Sequence, residues 1–184
     1  MKKLNYLAFA IVTILGLSSC SNDNDGPANE EEVITTVTTT LTSGVNTITL
    51  TSRDLDGDGP DAPVVTVSGP LAANSTYNGN VLFLNELASP PENISTEVAE
   101  EGDEHQVFFQ AAANIGTFTY TDADVNGKPI GLSFTLQTGN AASGTLTVTL
   151  RHEPNKNASG VSEGDITNAG GATDAQVSYG ISVE

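Results

Sequence analysis

Two stretches of the chain concentrate oxygen ligands at the same spacing. "RDLDGDGPDAP" covers 53–63 and "TDADVNGKP" covers 121–129. Each follows the pattern Asp-x-Asp-x-Asp/Asn-Gly. The first supplies Asp54, Asp56 and Asp58, and the second Asp122, Asp124 and Asn126. Alternate side chains of a tight loop converge on one centre, and glycine permits the sharp turn, as in the first half of an EF-hand calcium loop. An EF-hand also needs a bidentate Glu at the twelfth position, where this chain has Val65 and Ser133. The expectation is therefore not an EF-hand but an irregular oxygen cage for Ca2+, with Asp61 as a helper in the first turn. The first turn is the better candidate because all three of its ligands are charged. Asp, Asn and Gly are also good turn formers, and that alternative requires no ion.

A second chemistry rests on the two histidines. His105 shares strand parity with Val107 and Phe109, and His152 with Val148 and Leu150, so both are expected to point inward at strand ends. If those strands meet, His105 and His152 with Glu104 or Glu153 offer nitrogen and oxygen donors for a transition metal or haem. The plain alternative is a pair of satisfied histidines at the rim. A third candidate is the acidic run Glu97, Glu100, Glu101, Asp103 and Glu104, two of which could act as acid and base on a glycosidic bond. The chain has no tryptophan to stack a sugar, and the run reads as a solvated acidic loop. No enzymatic activity is expected.

Strands must position these groups. Period-two alternation recurs along the chain, and no helical period of useful length does. Val33, Val37 and Leu41 share one parity, as do Ile48 and Leu50, Phe118 and Tyr120, and Leu132, Phe134 and Leu136. The same holds for Leu146, Val148 and Leu150, and for Val177, Tyr179, Ile181 and Val183. Threonine fills the opposite parity, where its branched carbon fits the pleat and its hydroxyl meets water. "PVVTVSG", "STYNGNVLFLNEL" and "HQVFFQAA" complete eight or nine strands separated by turn signals. The predicted fold is all-β, a single antiparallel β-sandwich of immunoglobulin-like type. Residues 90–105 read as a loop with a possible helical turn capped by Ser95 or Thr96. Residues 153–175 form a long connection of the kind that carries function or moves.

The first residues give an address. Lys2 and Lys3 precede the apolar run "LAFAIVTILGL", and "LSSC" ends at Cys20, the only cysteine. This resembles a bacterial lipoprotein signal, which implies removal of 1–19 and lipidation of Cys20. Lipidation consumes the thiol and leaves neither disulfide nor thiol nucleophile. Residues 20–32 read as the lipidated cysteine and a flexible acidic linker, because "SNDNDGPANEEE" has almost nothing to bury. The sandwich is expected over 33–184. All 23 acidic residues lie after Cys20, opposed only by Arg53, Lys128, Arg151 and Lys156, a net charge of −19. Such a surface excludes nucleic acid as a partner, and membrane attachment must come from the lipid.

Taken in order, "RDLDGDG", "LNE", "DEHQ", "TDADVNGKP", "LTVTLRHEP" and "GDITNAGG" resemble a group of small Bacteroidota lipoproteins. That group is often labelled type 1 periplasmic binding fold superfamily, a label at odds with the all-β pattern and the lack of βαβ alternation. The acidic residues after Cys20 resemble surface-export signals of the same lipoproteins. The resemblance implies a lipid-anchored outer-membrane protein, surface-exposed, that assists a TonB-dependent receptor in solute or metal uptake. The expected function is a non-enzymatic, calcium-stabilised binding or accessory lipoprotein. The alternatives are a transition-metal or haem acquisition lipoprotein using the histidines, and a carbohydrate hydrolase using the acidic loop.

Overall fold

The structure is a computed structural model that describes residues 32–57, 59–112 and 114–184. The expected lipidation site Cys20 and the third aspartate of the first turn, Asp58, lie outside these residues. Among the described residues, no helix is long and apolar enough to cross a membrane.

Among the described residues, ten strands and one short α-helix follow one another, with a 3-10 turn Ile166–Asn168 before the last strand. They are β1 Thr36–Ser43, β2 Asn46–Arg53, β3 Val64–Val67, β4 Thr76–Asn85, β5 Glu92–Asn93, α1 Ile94–Glu100, β6 His105–Ala111, β7 Gly116–Tyr120, β8 Ser133–Thr138, β9 Ala142–His152 and β10 Ala172–Val183. The larger sheet runs β3-β2-β1-β4-β8-β7, with β5 added to β4, and the smaller runs β10-β9-β6. All of these pairings are antiparallel. The two sheets pack together as an all-β sandwich.

Alternation decides which side chains meet. Val37 and Leu41 of β1, Val81 and Phe83 of β4, and Phe134 and Leu136 of β8 are buried from one sheet. Val107 and Phe109 of β6, Leu146, Val148 and Leu150 of β9, and Tyr179 and Ile181 of β10 are buried from the other, in the same core. Burial of a large apolar side chain contributes roughly 1.5–3 kcal/mol, so these layers dominate the stability. The Tyr179 hydroxyl, a polar tip inside the core, donates to the Val37 carbonyl across the sandwich at 3.1 Å.

Two connections differ from the sequence reading. Residues 94–100 form a two-turn helix, and its cap is Asn93, whose side chain accepts from the Ser95 N–H. Ser95 is drawn away because its hydroxyl accepts from the Phe83 N–H at 2.7 Å, tying the helix to β4. The long connection after β9 is folded down on the outer face of β6. Phe108, Val161 and Ala169 bury one another there, and Gln106 donates to the Val161 carbonyl at 2.8 Å. This is why β6 is buried on both faces, although strict alternation predicts one wet face.

Candidate metal centre

The register of the small sheet sets His105 directly opposite His152, at the start of β6 and the end of β9. Inward parity places both rings on the core side, and they stack with centroids 4.6 Å apart. A separation this short lets one ion contact both residues.

Two carboxylates that sequence reasoning did not foresee complete the cluster. Asp174 is the extra residue of a bulge in β10, where Thr173 pairs with Arg151 and Ala175 with Leu150, consecutive positions of β9. Strict alternation back from Tyr179 would place Asp174 on the outer face. The bulge turns it inward, a common role of bulges beside functional sites. Its oxygens lie 3.9 Å from His105 Nε2 and 3.9 Å from His152 Nδ1. Glu32, at the end of the expected linker, reaches in ahead of β1 and sets Oε1 2.8 Å from His105 Nε2. The four side chains are almost completely buried: His105 is 0 % exposed, His152 5 %, Glu32 5 % and Asp174 1 %. One ligand atom from each falls within 4.8 Å of the others.

The hydrogen-bond chemistry of this cluster points to a cation. His105 Nδ1 lies 3.2 Å from the Glu101 carbonyl at the end of α1. A carbonyl only accepts, so Nδ1 carries the hydrogen and donates it. The Nε2 of a neutral ring then aims its lone pair at the Glu32 carboxylate, and two lone pairs 2.8 Å apart need a proton or a metal ion between them. A backbone carbonyl fixing one nitrogen while the other faces the ion is the usual arrangement around metal-bound histidine. The second oxygen of Glu32, Oε2, is buried with no hydrogen-bond partner among the described residues. An unmatched buried carboxylate oxygen is costly, and coordination would relieve it. Ligand atoms in a tetrahedral zinc shell stand about 3.4 Å apart, given bonds near 2.0–2.1 Å. The 2.8 and 3.9 Å separations bracket that value, so sub-ångström side-chain shifts close the shell.

The surrounding field is negative. Burial, then Glu32, Glu101 and Glu92, push the neighbouring Glu97 carboxyl above its ordinary value, while His105 pulls it down. Outside the buried four lies a second group that shares a histidine with them. Glu104, His152 and Glu153 also place ligand atoms within 4.8 Å of one another.

The aspartate turns are organised differently. Asp54 accepts from the Gly57 N–H at 2.9 Å, and Asp56 accepts from the Asp61 N–H at 3.2 Å; both are turn clamps at the surface. In the second turn, Asp122 gives one oxygen to the Gly131 N–H and the other to the Ser133 N–H, each at 2.8 Å. Asp124 accepts from the N–H groups of Asn126 and Lys128 through Oδ1 and from Lys156 Nζ through Oδ2. The Lys156 ammonium is itself caged, donating to the Gly102 carbonyl at 2.5 Å and the Pro129 carbonyl at 2.8 Å. Burial raises the Asp124 carboxyl, but its three donors together hold it below its ordinary value. Burial brings Lys156 below its own, against the pull of Asp124. A lysine of the chain thus occupies the cation position beside Asp124, and it pins the long connection to the turn. Asn126 is exposed.

Glu97 and Glu100 lie on α1, with Glu101, Asp103 and Glu104 in the turn to β6. From this acidic run, Glu104 alone enters either cluster. Comparison of the chain with protein-family models, with curated proteins and with solved structures finds no match.

Proposed function

We propose that the protein is a non-enzymatic, lipid-anchored binding protein of the cell envelope that holds one divalent transition-metal ion between Glu32, His105, His152 and Asp174. The observation that carries this reading is the buried quartet of two imidazoles and two carboxylates, including a Glu32 oxygen with no hydrogen-bond partner among the described residues. Two nitrogens and two oxygens suit zinc-class ions, whereas calcium and magnesium take oxygen shells. Four protein donors also fill a tetrahedral shell. Catalytic zinc sites keep one position open for water or substrate, so a closed shell supports binding rather than hydrolysis.

The place in the cell rests on the resemblance of residues 1–20 to a lipoprotein signal and on the acidic residues that follow. An outer-membrane anchor and an uptake receptor as partner fit a protein that delivers a metal ion. The deciding experiment is metal analysis of the mature, metal-loaded protein after desalting. One equivalent of zinc is expected in the wild type and far less in His105→Ala. Zinc retained in full by that variant would remove the proposal.

A further inference from the structure

His152 faces two ways. Its Nδ1 is 3.9 Å from Asp174 in the buried quartet, and its Nε2 is 3.8 Å from Glu104 Oε2 on the outside. Glu104 is 54 % exposed and Glu153 is exposed, so the outer group opens to solvent while the ring behind it does not. Neither nitrogen of this buried ring makes a hydrogen bond among the described residues, although buried imidazoles ordinarily find partners.

The backbone around the ring is built for this placement. Glu153 stands at φ 49°, a left-handed conformation that a non-glycine residue adopts at a cost. That twist keeps Glu153 beside His152 and Glu104 after β9 ends. The Glu153 N–H donates to the Glu104 carbonyl at 2.7 Å, which clamps the two acidic residues together. Gly171 sits beneath, where a Cβ would stand 2.1 Å from the His152 carbonyl oxygen.

We infer that Glu104, Glu153 and His152 Nε2 form a capture station that takes a divalent transition-metal ion from solvent and passes it, through His152, to the buried quartet. This rests on the proposed function of the quartet. A neutral imidazole has one lone pair, because its other nitrogen carries the hydrogen. His152 can therefore serve the outer group through Nε2 or the inner group through Nδ1, but not both. The two sites exclude one another, and one ion binds per chain. Transfer amounts to a tautomer exchange of His152: the ion leaves Nε2 and the exposed glutamates as Asp174 and His105 take hold, the Nδ1 proton and the proton between His105 and Glu32 pass to water, and Nε2 takes a proton from water. Exposed carboxylates collect cations quickly, and the buried histidines hold them.

The test is stopped-flow uptake of Co2+ by the mature metal-free protein, followed by visible absorption, at low ionic strength. Glu104→Gln with Glu153→Gln should slow uptake at least tenfold, with one Co2+ still bound at the end point. Two controls isolate the position of the lost charges from their number. Glu163→Gln with Glu184→Gln makes the same charge change on exposed residues elsewhere and should slow uptake less than twofold. Asp54→Asn probes the approach from the far side, where a cleft of about 450 Å³ is lined by both Asp54 and Asp174, and should also have little effect. The inference is overturned if the Glu104/Glu153 variant takes up Co2+ at the wild-type rate, if either control slows it as much, or if the wild type binds two ions at once. If the wild type binds no Co2+ at all, the quartet reading falls and the capture station with it. If the wild type binds one Co2+ and the Glu104/Glu153 variant matches its rate, the capture station falls alone.

Discussion

Replacing Glu32 by Gln should separate the stability of the apo fold from the stability gained on binding metal. Gln keeps the shape and removes the charge. Among the described residues Glu32 Oε2 is buried without a partner, and a Gln amide can donate to the His105 Nε2 lone pair that Oε1 faces, so losing the charge leaves the apo fold as stable or stabilises it. With zinc the sign reverses. A four-donor structural zinc site is worth on the order of 12 kcal/mol, so one donor in four contributes about 3 kcal/mol, a loss of about 150-fold in affinity. At free zinc a thousandfold above the wild-type dissociation constant, binding adds about 4.1 kcal/mol to the wild type and about 1.2 kcal/mol to the variant. For a domain of this size each kcal/mol moves the midpoint by roughly 3 °C. By the same scaling, zinc should raise Tm by roughly 12 °C in the wild type and roughly 4 °C in the variant. Thermal melts with buffered zinc and with chelator read both numbers, and competition with a chromophoric chelator reads the affinity. Equal zinc affinity in the two proteins would refute the placement of Glu32 in the shell.

Four further outcomes are expected. Lys156→Met strands the Asp124 carboxylate and two carbonyls in a buried cage and should cost about 3–5 kcal/mol in denaturant melts, metal present or not. Gly171→Ala meets the His152 carbonyl in a left-handed backbone position, so it should lower both Tm and zinc affinity, the second measured by chelator competition. Calcium in excess should leave Tm where chelator leaves it, because the described aspartates of both turns are engaged by N–H groups and by Lys156; a calcium-dependent rise abolished by Asp56→Asn would support the calcium expectation instead. Glu86 is held down to about 2 by its paired contact with Arg53 and by the Thr36 hydroxyl, so its contribution is fully present above about 4.5 and is lost as pH falls towards 2. Arg53→Met should therefore flatten the acid limb of the stability curve below about pH 4.5 and leave its shape at neutral pH alone.

The parity of the strands was readable because one face of each is buried and the period of two is strict. That parity alone put His105 and His152 at inward strand ends. Their meeting was not readable, since it depends on β6 and β9 pairing in one register across residues 112–141, which include β7 and β8. Asp174 was hidden by the same logic that revealed the histidines: counting by twos places it outside, and only the bulge brings it in. Glu32 was hidden by composition, because a run of acidic residues after a lipoprotein-like signal reads as solvent-loving whatever its last member touches. In the aspartate turns the ligand types were legible and their use was not. Whether an Asp oxygen meets an ion or an N–H depends on neighbours such as Gly131, Ser133 and Lys156, which sit outside the motif.

If the proposed function holds, acidity and histidine play different parts in gathering metal. A net charge of −19 after Cys20 raises the local concentration of every cation, and it does so without choosing among them. Exposed carboxylates hold calcium and magnesium about as readily as zinc, weakly, and release them to salt. Choice requires imidazole nitrogen in a site that excludes water, and the described chain has two imidazoles, stacked at one end of the small sheet. Glu32 from the residues preceding β1 and Asp174 from the bulge complete the buried group, and the exposed Glu104 and Glu153 form the outer one, so the two groups share a boundary at His152. On this reading the abundance of Asp and Glu is the unselective half of a two-part device, and His105 with His152 is the selective half. The fold contributes a register, a bulge and one left-handed glutamate that bring the halves into contact.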